Sequence, residues 1–396
     1  AISHIIGAVM VWFLASIESY AGLLIFGLLY SIIYAPTLAL TNSLAFHHLP
    51  DRDRDFGKVR VWGTIGWIAV GIGMGQWLAT AHTPVPEKAA MQAKADIEKM
   101  TPEDLEKLKK AGVAQFEDLK KKFPDLKPDA APQKVQEGAV VRRSHVAGMA
   151  DSFRLSAILG VILGIYCLLL PKTPPKQGQQ KFAPWEALAE VKKMPLLALF
   201  VISFPVACIH QFYFVHTAGF LGKLNHPLAD QINLVFGVGG GGLMTVGQIF
   251  EIVVLAFMPL VAKKTGRKML LAIGLAAYIL RFAVFAFSTN PSLIVPALAL
   301  HGLCFGCFFF VAFMIVDEET PGDVRASAQG LFNFVVIGLG TIIGNAFAGW
   351  VHTIANADPT TYYRTLFQIP MWIAIACLAV LLAWYRGGKG VGAKAV

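Results

Sequence analysis

The chain has 396 residues, 56% of them hydrophobic and only 15% charged, with 37 glycines and 28 phenylalanines. A soluble domain carries about 25% charged residues, so this composition argues against a soluble enzyme. The formal charge of +9 would suggest nucleic acid in a soluble chain, but here the basic residues sit in short loops between apolar runs, where membrane topology accounts for them and no nucleic-acid partner is expected.

Ten apolar runs read as membrane spans: 2–17, 21–46, 60–82, 153–170, 196–221, 232–261, 269–287, 293–316, 326–352 and 366–385. About 20 apolar residues cross a bilayer as a helix. The runs are continuous rather than alternating, and only helices or closed barrels satisfy their backbone groups in lipid, so the chain reads as an all-α membrane protein. The first run begins at once behind Ala1, without the charged start or cleavage site of a signal peptide. The expectation is a chain truncated inside a longer membrane protein. In the second run Tyr34, Pro36, Thr37 and Asn42 stand out, because Pro36 should kink the helix and free a carbonyl. The third is entered through Gly57-Lys58-Val59-Arg60, and Arg60, Thr64 and Trp67 at i, i+4 and i+7 share one face. That stripe offers a cation, a hydroxyl and a stacking surface; the bland alternative is that Arg60 snorkels to the membrane edge.

Residues 83–148 interrupt the pattern with 11 of the 25 acidic residues and 13 Lys or Arg, and read as a helical extramembrane insertion. Thr101-Pro102-Glu103-Asp104 looks like an N-cap followed by Pro at the first helical position and early acids. Leu105 and Leu108 follow, Gly112 is expected to end that helix, and a second short one is expected from Ala114 to Phe123, stopped by Pro124.

Polar residues inside spans are costly and usually face a cavity or one another. The fifth span carries His210, Gln211, Tyr213 and Phe214. The sixth is longer than one crossing requires, so it should tilt, kink or run beyond the bilayer, with Gly239-Gly240-Gly241-Gly242 as its weak point. Just beyond, Gln248 and Glu251 are i, i+3 neighbours. Glu251 is the only acid well inside any span and is a candidate to take and release a proton; the alternative is a structural partner for a buried base such as Arg281 in the seventh span. His301 and Phe305 are i, i+4 neighbours on the eighth. Cys167, Cys208, Cys304, Cys307 and Cys377 all lie in apolar runs and read as small core hydrophobes. The Cys304-x-x-Cys307 pair has no His or Cys partners nearby, so no metal site is expected. No phosphate-binding Gly-x-x-x-x-Gly-Lys-Ser/Thr loop is present, so ATP-driven pumping is not expected, no cofactor is implied, and coupling to an ion gradient is the economical idea. The amides, hydroxyls and flat rings suit a neutral, hydroxylated ligand bearing a planar ring.

Short-loop charge orients the chain. One side carries Arg52, Arg54, Lys58, Arg60, Lys172, Lys176, Lys181, Lys192, Lys193, Lys263, Lys264, Arg267, Lys268 and Arg325, together with the tail; the other offers Lys223 and Arg364. The basic side, with the C-terminus, should be cytoplasmic, and by parity the insert lies opposite. Gly322-Asp323-Val324-Arg325, entering the ninth span, repeats the Gly-x-Val-Arg of the third, six spans earlier. Two parallel six-helix halves are the architecture of the major facilitator superfamily, so ten of an expected twelve helices would be present, with two missing at the N-terminus. The segments follow: 1–82 and 149–172 as parts of the N-terminal bundle, 83–148 as a soluble insertion, 173–195 as a cytoplasmic linker and 196–396 as the C-terminal six-helix bundle.

At these residues the chain resembles the nucleoside:proton symporters, the bacterial nucleoside permeases of that superfamily. The resemblance runs through Tyr34 to Asn42, Val59 to Trp67, Gly247-Gln-Ile-Phe-Glu251, Ile279-Leu-Arg-Phe-Ala283 and Val324 to Gly330, and covers nearly everything but residues 83–148. It implies proton-driven import of nucleosides across the bacterial inner membrane by alternating access; with the parity above, the insert is expected on the periplasmic side, and a monomer is expected. It carries the family's binding positions onto Arg60, Thr64, Gln211, Gln248, Glu251 and Phe305. Trp67 stands where the family has Phe, Phe214 where it has Asn, His301 where it has Tyr, and Gly306 where it has an Asp, which leaves Glu251 as the expected proton carrier. The loop Lys263-Lys-Thr-Gly-Arg-Lys268 looks like a degenerate copy of the superfamily's basic cytoplasmic signature. The alternatives are a same-fold carrier of a sugar or other small neutral metabolite, and a transport-inactive sensor working through the insert.

Overall fold

A computed structural model describes residues 1–50, 52–171, 183–222, 224, 227–236, 242–321 and 324–386. Among them every regular element is a helix: α1 (Ile2–Leu14), α2 (Tyr20–His48), α3 (Arg52–Ala81), α4 (Pro86–Glu98), α5 (Pro102–Lys122), α6 (Ala131–Tyr166), α7 (Ala183–Val191), α8 (Leu196–Leu221), α9 (Pro227–Phe236), α10 (Met244–Lys264), α11 (Arg267–Phe287), α12 (Pro291–Leu303), α13 (Val311–Glu319), α14 (Arg325–Asn333), α15 (Gly340–Ala355) and α16 (Tyr362–Trp384). Two wider π-helical stretches, Cys304–Phe310 and Phe334–Leu339, join α12 to α13 and α14 to α15 into continuous rods. Eight of the rods are long and apolar enough to cross a membrane. Two of the ten expected spans fall outside that set: α1, with 13 residues, and α3, whose apolar run is diluted by glycines and Gln76.

The chain divides into two compact units, residues 1–30 with 73–167 and residues 31–72 with 168–396. In the first, α1 lies along α6. Small residues permit the approach: a Cβ at Gly164 would stand 2.8 Å from Ile5, and Ala8, Val11, Leu14 and Ala157 form a small buried cluster. Between lipid-facing helices such contact rests on dispersion rather than on the expulsion of water. The insert packs α4 and α5 on the N-terminal part of α6. Thr101 caps α5 as its sequence suggests, its hydroxyl accepting from the Asp104 amide at 3.2 Å. Gly112, however, does not end the helix, and no separate helix begins at Ala114: α5 runs unbroken to Lys122. A Cβ on Gly112 would meet the Pro132 nitrogen at 2.8 Å, so the missing side chain serves close packing rather than a stop. The expected span at 153–170 is the C-terminal part of α6, one 36-residue helix that begins inside the insert.

The second unit holds the main core. The α8 helix packs against α15 and α16, α10 against α12, and α11 against α12 and α16. Much of the phenylalanine is spent here: Phe212, Phe282, Phe285 and Phe367 are fully buried and touch ring to ring at 5.3–6.3 Å. Gly302 lets α12 come so close to α10 that a Cβ would stand 2.4 Å from the Phe250 carbonyl oxygen. The expected long span at 232–261 is two helices, α9 ending at Phe236 and α10 starting at Met244. Gly242 sits between them at φ 25°, a backbone that glycine tolerates without a Cβ clash; Gly239 to Gly241 lie outside the described residues. Two ion pairs tie the basic ends of this unit. Arg267 grips Glu318 with both Nη2 and Nε (2.5 and 3.3 Å), and Arg325 Nε lies 3.3 Å from Asp317. Gly322 and Asp323 of the repeated motif, and residues 172–182, which take in the first part of the linker expected at 173–195, are not among the described residues.

Candidate functional site

One cavity of about 380 Å³ lies within the second unit, inside the range of roughly 300–1,000 Å³ usual for small-molecule sites. Helical periodicity builds its walls. Arg60, Gly63, Thr64 and Trp67 come from α3; Ala207, His210, Gln211 and Phe214 from α8; Gln248 and Glu251 from α10. The first two sets fall at i, i+3, i+4 and i+7 and the third at i and i+3, so each helix turns one stripe inward. His301 adds to these from the end of α12, and Phe305 and Phe309 from the π-helical stretch that follows. Such local widening is frequent at functional positions. Arg60, Thr64, Trp67, Gln211, Phe214, Gln248, Glu251, His301 and Phe305 therefore share one wall system.

The polar centre is small and buried. Thr64 Oγ1 donates to Glu251 Oε1 at 2.7 Å, with only 6% and 7% of the two residues exposed. The other carboxylate oxygen, Oε2, faces His301 Nε2 at 3.8 Å, close enough for attraction but too long for a hydrogen bond. Arg281 Nη1 in turn donates to His301 Nδ1 at 3.0 Å. His301 therefore stands between Arg281 and Glu251, and the direct Glu251–Arg281 pair weighed from the sequence is not what the described residues form. Arg60 does not run to the helix end. Its guanidinium folds over Gly63, where a Cβ would be 2.6 Å from Nη1, and lies 5.1 Å above the Phe305 ring.

Flat rings form the remaining walls. Phe214 meets His210 and His301 edge-on at 5.2 and 5.9 Å, geometry favoured by the ring quadrupoles. Trp67 is 63% exposed, while Phe305 and Phe309 tilt against each other at 6.3 Å. Gln211 donates to Asn345 Oδ1 on α15 at 3.0 Å, an orientation that leaves its own carbonyl oxygen available.

Sequence reasoning missed Thr341, which lines the cavity, and Asn345, which holds Gln211 from α15. The same cost argument that flagged Gln248 could have flagged Asn345, an amide in the middle of an apolar run. Tyr34, Pro36 and Thr37 do not line the cavity; Thr37 instead donates back to the Tyr34 carbonyl on its own helix at 2.6 Å. The Asn42 side chain lies outside the described residues. Gly306 also faces away from the cavity. A Cβ there would stand 2.6 Å from Val254 Cγ1 on α10, so packing leaves no room for a carboxylate at this position.

Comparison with known proteins gives a consistent set of relatives. The family description "Nucleoside H+ symporter" matches residues 1–93 and 137–389. The putative nucleoside transporter YegT of Escherichia coli K12 is 27% identical over 352 residues, covering 87% of this chain and 66% of that protein. The nucleoside permease NupG of the same organism is 24% identical over 400 residues, covering 97% of this chain and 78% of its own. This chain thus spans slightly less than two thirds of the first relative and about four fifths of the second. Among solved structures, nucleoside transporter NupG superposes with a TM-score of 0.61 at 22% identity, over 98% of this chain and 82% of that one. The E. coli fucose:proton symporter FucP gives 0.57 at 14% identity, over 97% and 81%. The fold is the one these solved transporters share.

Proposed function

The chain belongs to the nucleoside H+ symporter family, and from that premise we propose that it imports nucleosides across the bacterial inner membrane by proton symport. The observation that carries the reading is the cavity itself, in which a buried carboxylate held by Thr64 stands among amides and flat rings. A nucleoside is neutral, hydroxylated and bears a planar base, so stacking and directional hydrogen bonds suffice to hold it. Trp67 and Phe305 stack on the base. Arg60, Gln211 and Gln248 supply hydrogen bonds to ribose or base. Phe214 and His301 close the apolar side.

Glu251 carries the proton. Ionised, it accepts from Thr64 and attracts the His301 N–H; protonated, it becomes a donor and the same wall changes its hydrogen-bond pattern. Binding coupled to that change moves proton and nucleoside together as the cavity opens alternately to either side. We assign residues 1–82 and 149–172 to the N-terminal bundle, 83–148 to a periplasmic insertion, 173–195 to a cytoplasmic linker and 196–396 to the C-terminal bundle, with the C-terminus cytoplasmic and the protein a monomer.

The test is accumulation of labelled uridine by cells of a transporter-deficient strain expressing the protein, with and without a protonophore. Accumulation that collapses on adding the protonophore is the expected result. No uptake, with the protein present in the membrane, would overturn the assignment of substrate.

A further inference from the structure

Arg281 belongs to none of the roles above, yet it is the largest fully buried side chain among the described residues, at 0% exposure. Its guanidinium lies 4.0 Å from the Tyr213 ring centre and 5.1 Å from that of Tyr278. Nε and Nη2 have no hydrogen-bond partner among the described residues. Burying a cation this way is expensive, and the aromatic faces offset only part of the cost. Its directed interaction is the bond from Nη1 to His301 Nδ1.

That bond has a chemical consequence. A guanidinium has five donors, no acceptor, and does not lose its proton in proteins. His301 Nδ1 must therefore accept, so the single ring proton sits on Nε2, the nitrogen that faces Glu251 Oε2 at 3.8 Å. A second proton on the ring would set an N–H against the Arg281 N–H. Other titratable and aromatic groups surround His301. From α8, His210 and Tyr213 stack on its ring at 5.4 and 5.1 Å. From α11, Tyr278 hydrogen-bonds His210 Nδ1. Arg60, from α3, adds positive charge to the same cavity wall. Glu251 is the one acidic group of the wall among the described residues, and it faces Nε2.

We propose that Arg281 is a positioning residue for proton coupling: it locks His301 as a neutral Nε2–H donor aimed at Glu251, so that Glu251 is the only group in the cavity that takes the transported proton. His301 then senses the charge of Glu251 without competing for it. This rests on the transport reading above for its consequence, but the locked tautomer is a property of the resting protein and is measured without transport.

The experiment is ¹⁵N-histidine NMR of the full chain in lipid nanodiscs from about pH 6 to 8, where an unrestrained imidazole titrates. The His301 signals are identified by their loss in His301→Asn. The neutral Nε2–H pattern should persist across that range, and proton-driven uptake should show one ionisation. Arg281→Met removes the cation at similar volume; His301 should then titrate, and uptake should gain a second ionisation that disappears again in Arg281→Met/His301→Asn. An Nδ1–H tautomer or a titrating His301 in the unmodified protein overturns the proposal, as does an Arg281→Met protein with unchanged spectrum and profile. If Arg281→Met does not reach the membrane, the spectrum of the unmodified protein decides alone. Failure of the nucleoside reading looks different: no uptake, with the locked tautomer intact.

Discussion

The insert and the cavity draw on the same residue types and put them to opposite use. On α5, Lys107 pairs with Glu103 at 2.7 Å and Lys110 with Glu106 at 2.8 Å, every partner more than half exposed. On α4, Asp96 gathers Gln92, Gln136 and Arg143 around one carboxylate. These are many charges in water, each screened and each contributing little. At the cavity wall Thr64, Glu251 and His301 follow one another in series and end on the deeply buried Arg281 behind it, where losing a partner leaves a charge without compensation. Exposure, rather than the number of charged groups, decides which of the two regions can couple a proton to anything.

The sharpest way to break this contrast is Glu251→Gln, which keeps the shape and removes the ionisable group. Concentrative uptake should vanish, leaving nucleoside to equalise across the membrane; uptake that still concentrates substrate would remove Glu251 from the coupling step. Next comes Thr64→Val, which deletes the donor to Glu251 at nearly constant volume. A hydrogen bond to a charged group is worth about 1.5–3 kcal/mol, so coupled uptake should fall roughly 10- to 100-fold, and a loss under twofold would mean the bond is incidental. Phe305→Ala removes a ring. Stacking on a base is worth about 1–3 kcal/mol, which predicts a half-saturating uridine concentration raised roughly 5- to 100-fold with the protonophore response kept. The smallest effect belongs to the insert. The Arg143 guanidinium beside Asp96 holds that carboxyl below the usual carboxylate range. Its contribution to stability is therefore present at neutral pH and is lost only as pH falls through the lowered value. Asp96→Asn should leave uptake unchanged, lower the neutral-pH melting temperature slightly, and abolish any acid-dependent step due to this pair. Lost uptake in that variant would tie the insert to transport and dissolve the contrast.

Much of this was legible from residue spacing. Hydropathy located the long helices because a bilayer demands about 20 apolar residues per crossing. The i, i+3, i+4 and i+7 spacing of Arg60, Thr64 and Trp67, and of Gln248 with Glu251, placed each set on one face, since a helix repeats every 3.6 residues. Where spacing failed, the cause was contact rather than local preference. Gly112 reads as a stop by propensity, but α5 continues because α6 approaches at Pro132 and needs the missing side chain. Gly306 reads as a lost acid, but it is where α10 presses Val254 against the π-helical stretch. Asn345 lies 134 residues from the Gln211 it receives, a distance no local pattern spans.

Composition and periodicity by themselves determined that this chain is a bundle of membrane helices carrying a charged helical insert, with a handful of polar residues on defined helix faces. Both follow from rules that act within one helix: apolar length against bilayer thickness, and 3.6 residues per turn. Which faces meet was decided only by the tertiary structure. It set Thr64 on Glu251, placed His301 between Glu251 and Arg281, folded Arg60 over Gly63 and turned Gly306 away. Those outcomes depend on how closely helices approach at glycines such as Gly302 and on the volumes of the side chains they bring together, quantities that belong to pairs of helices and not to either sequence alone.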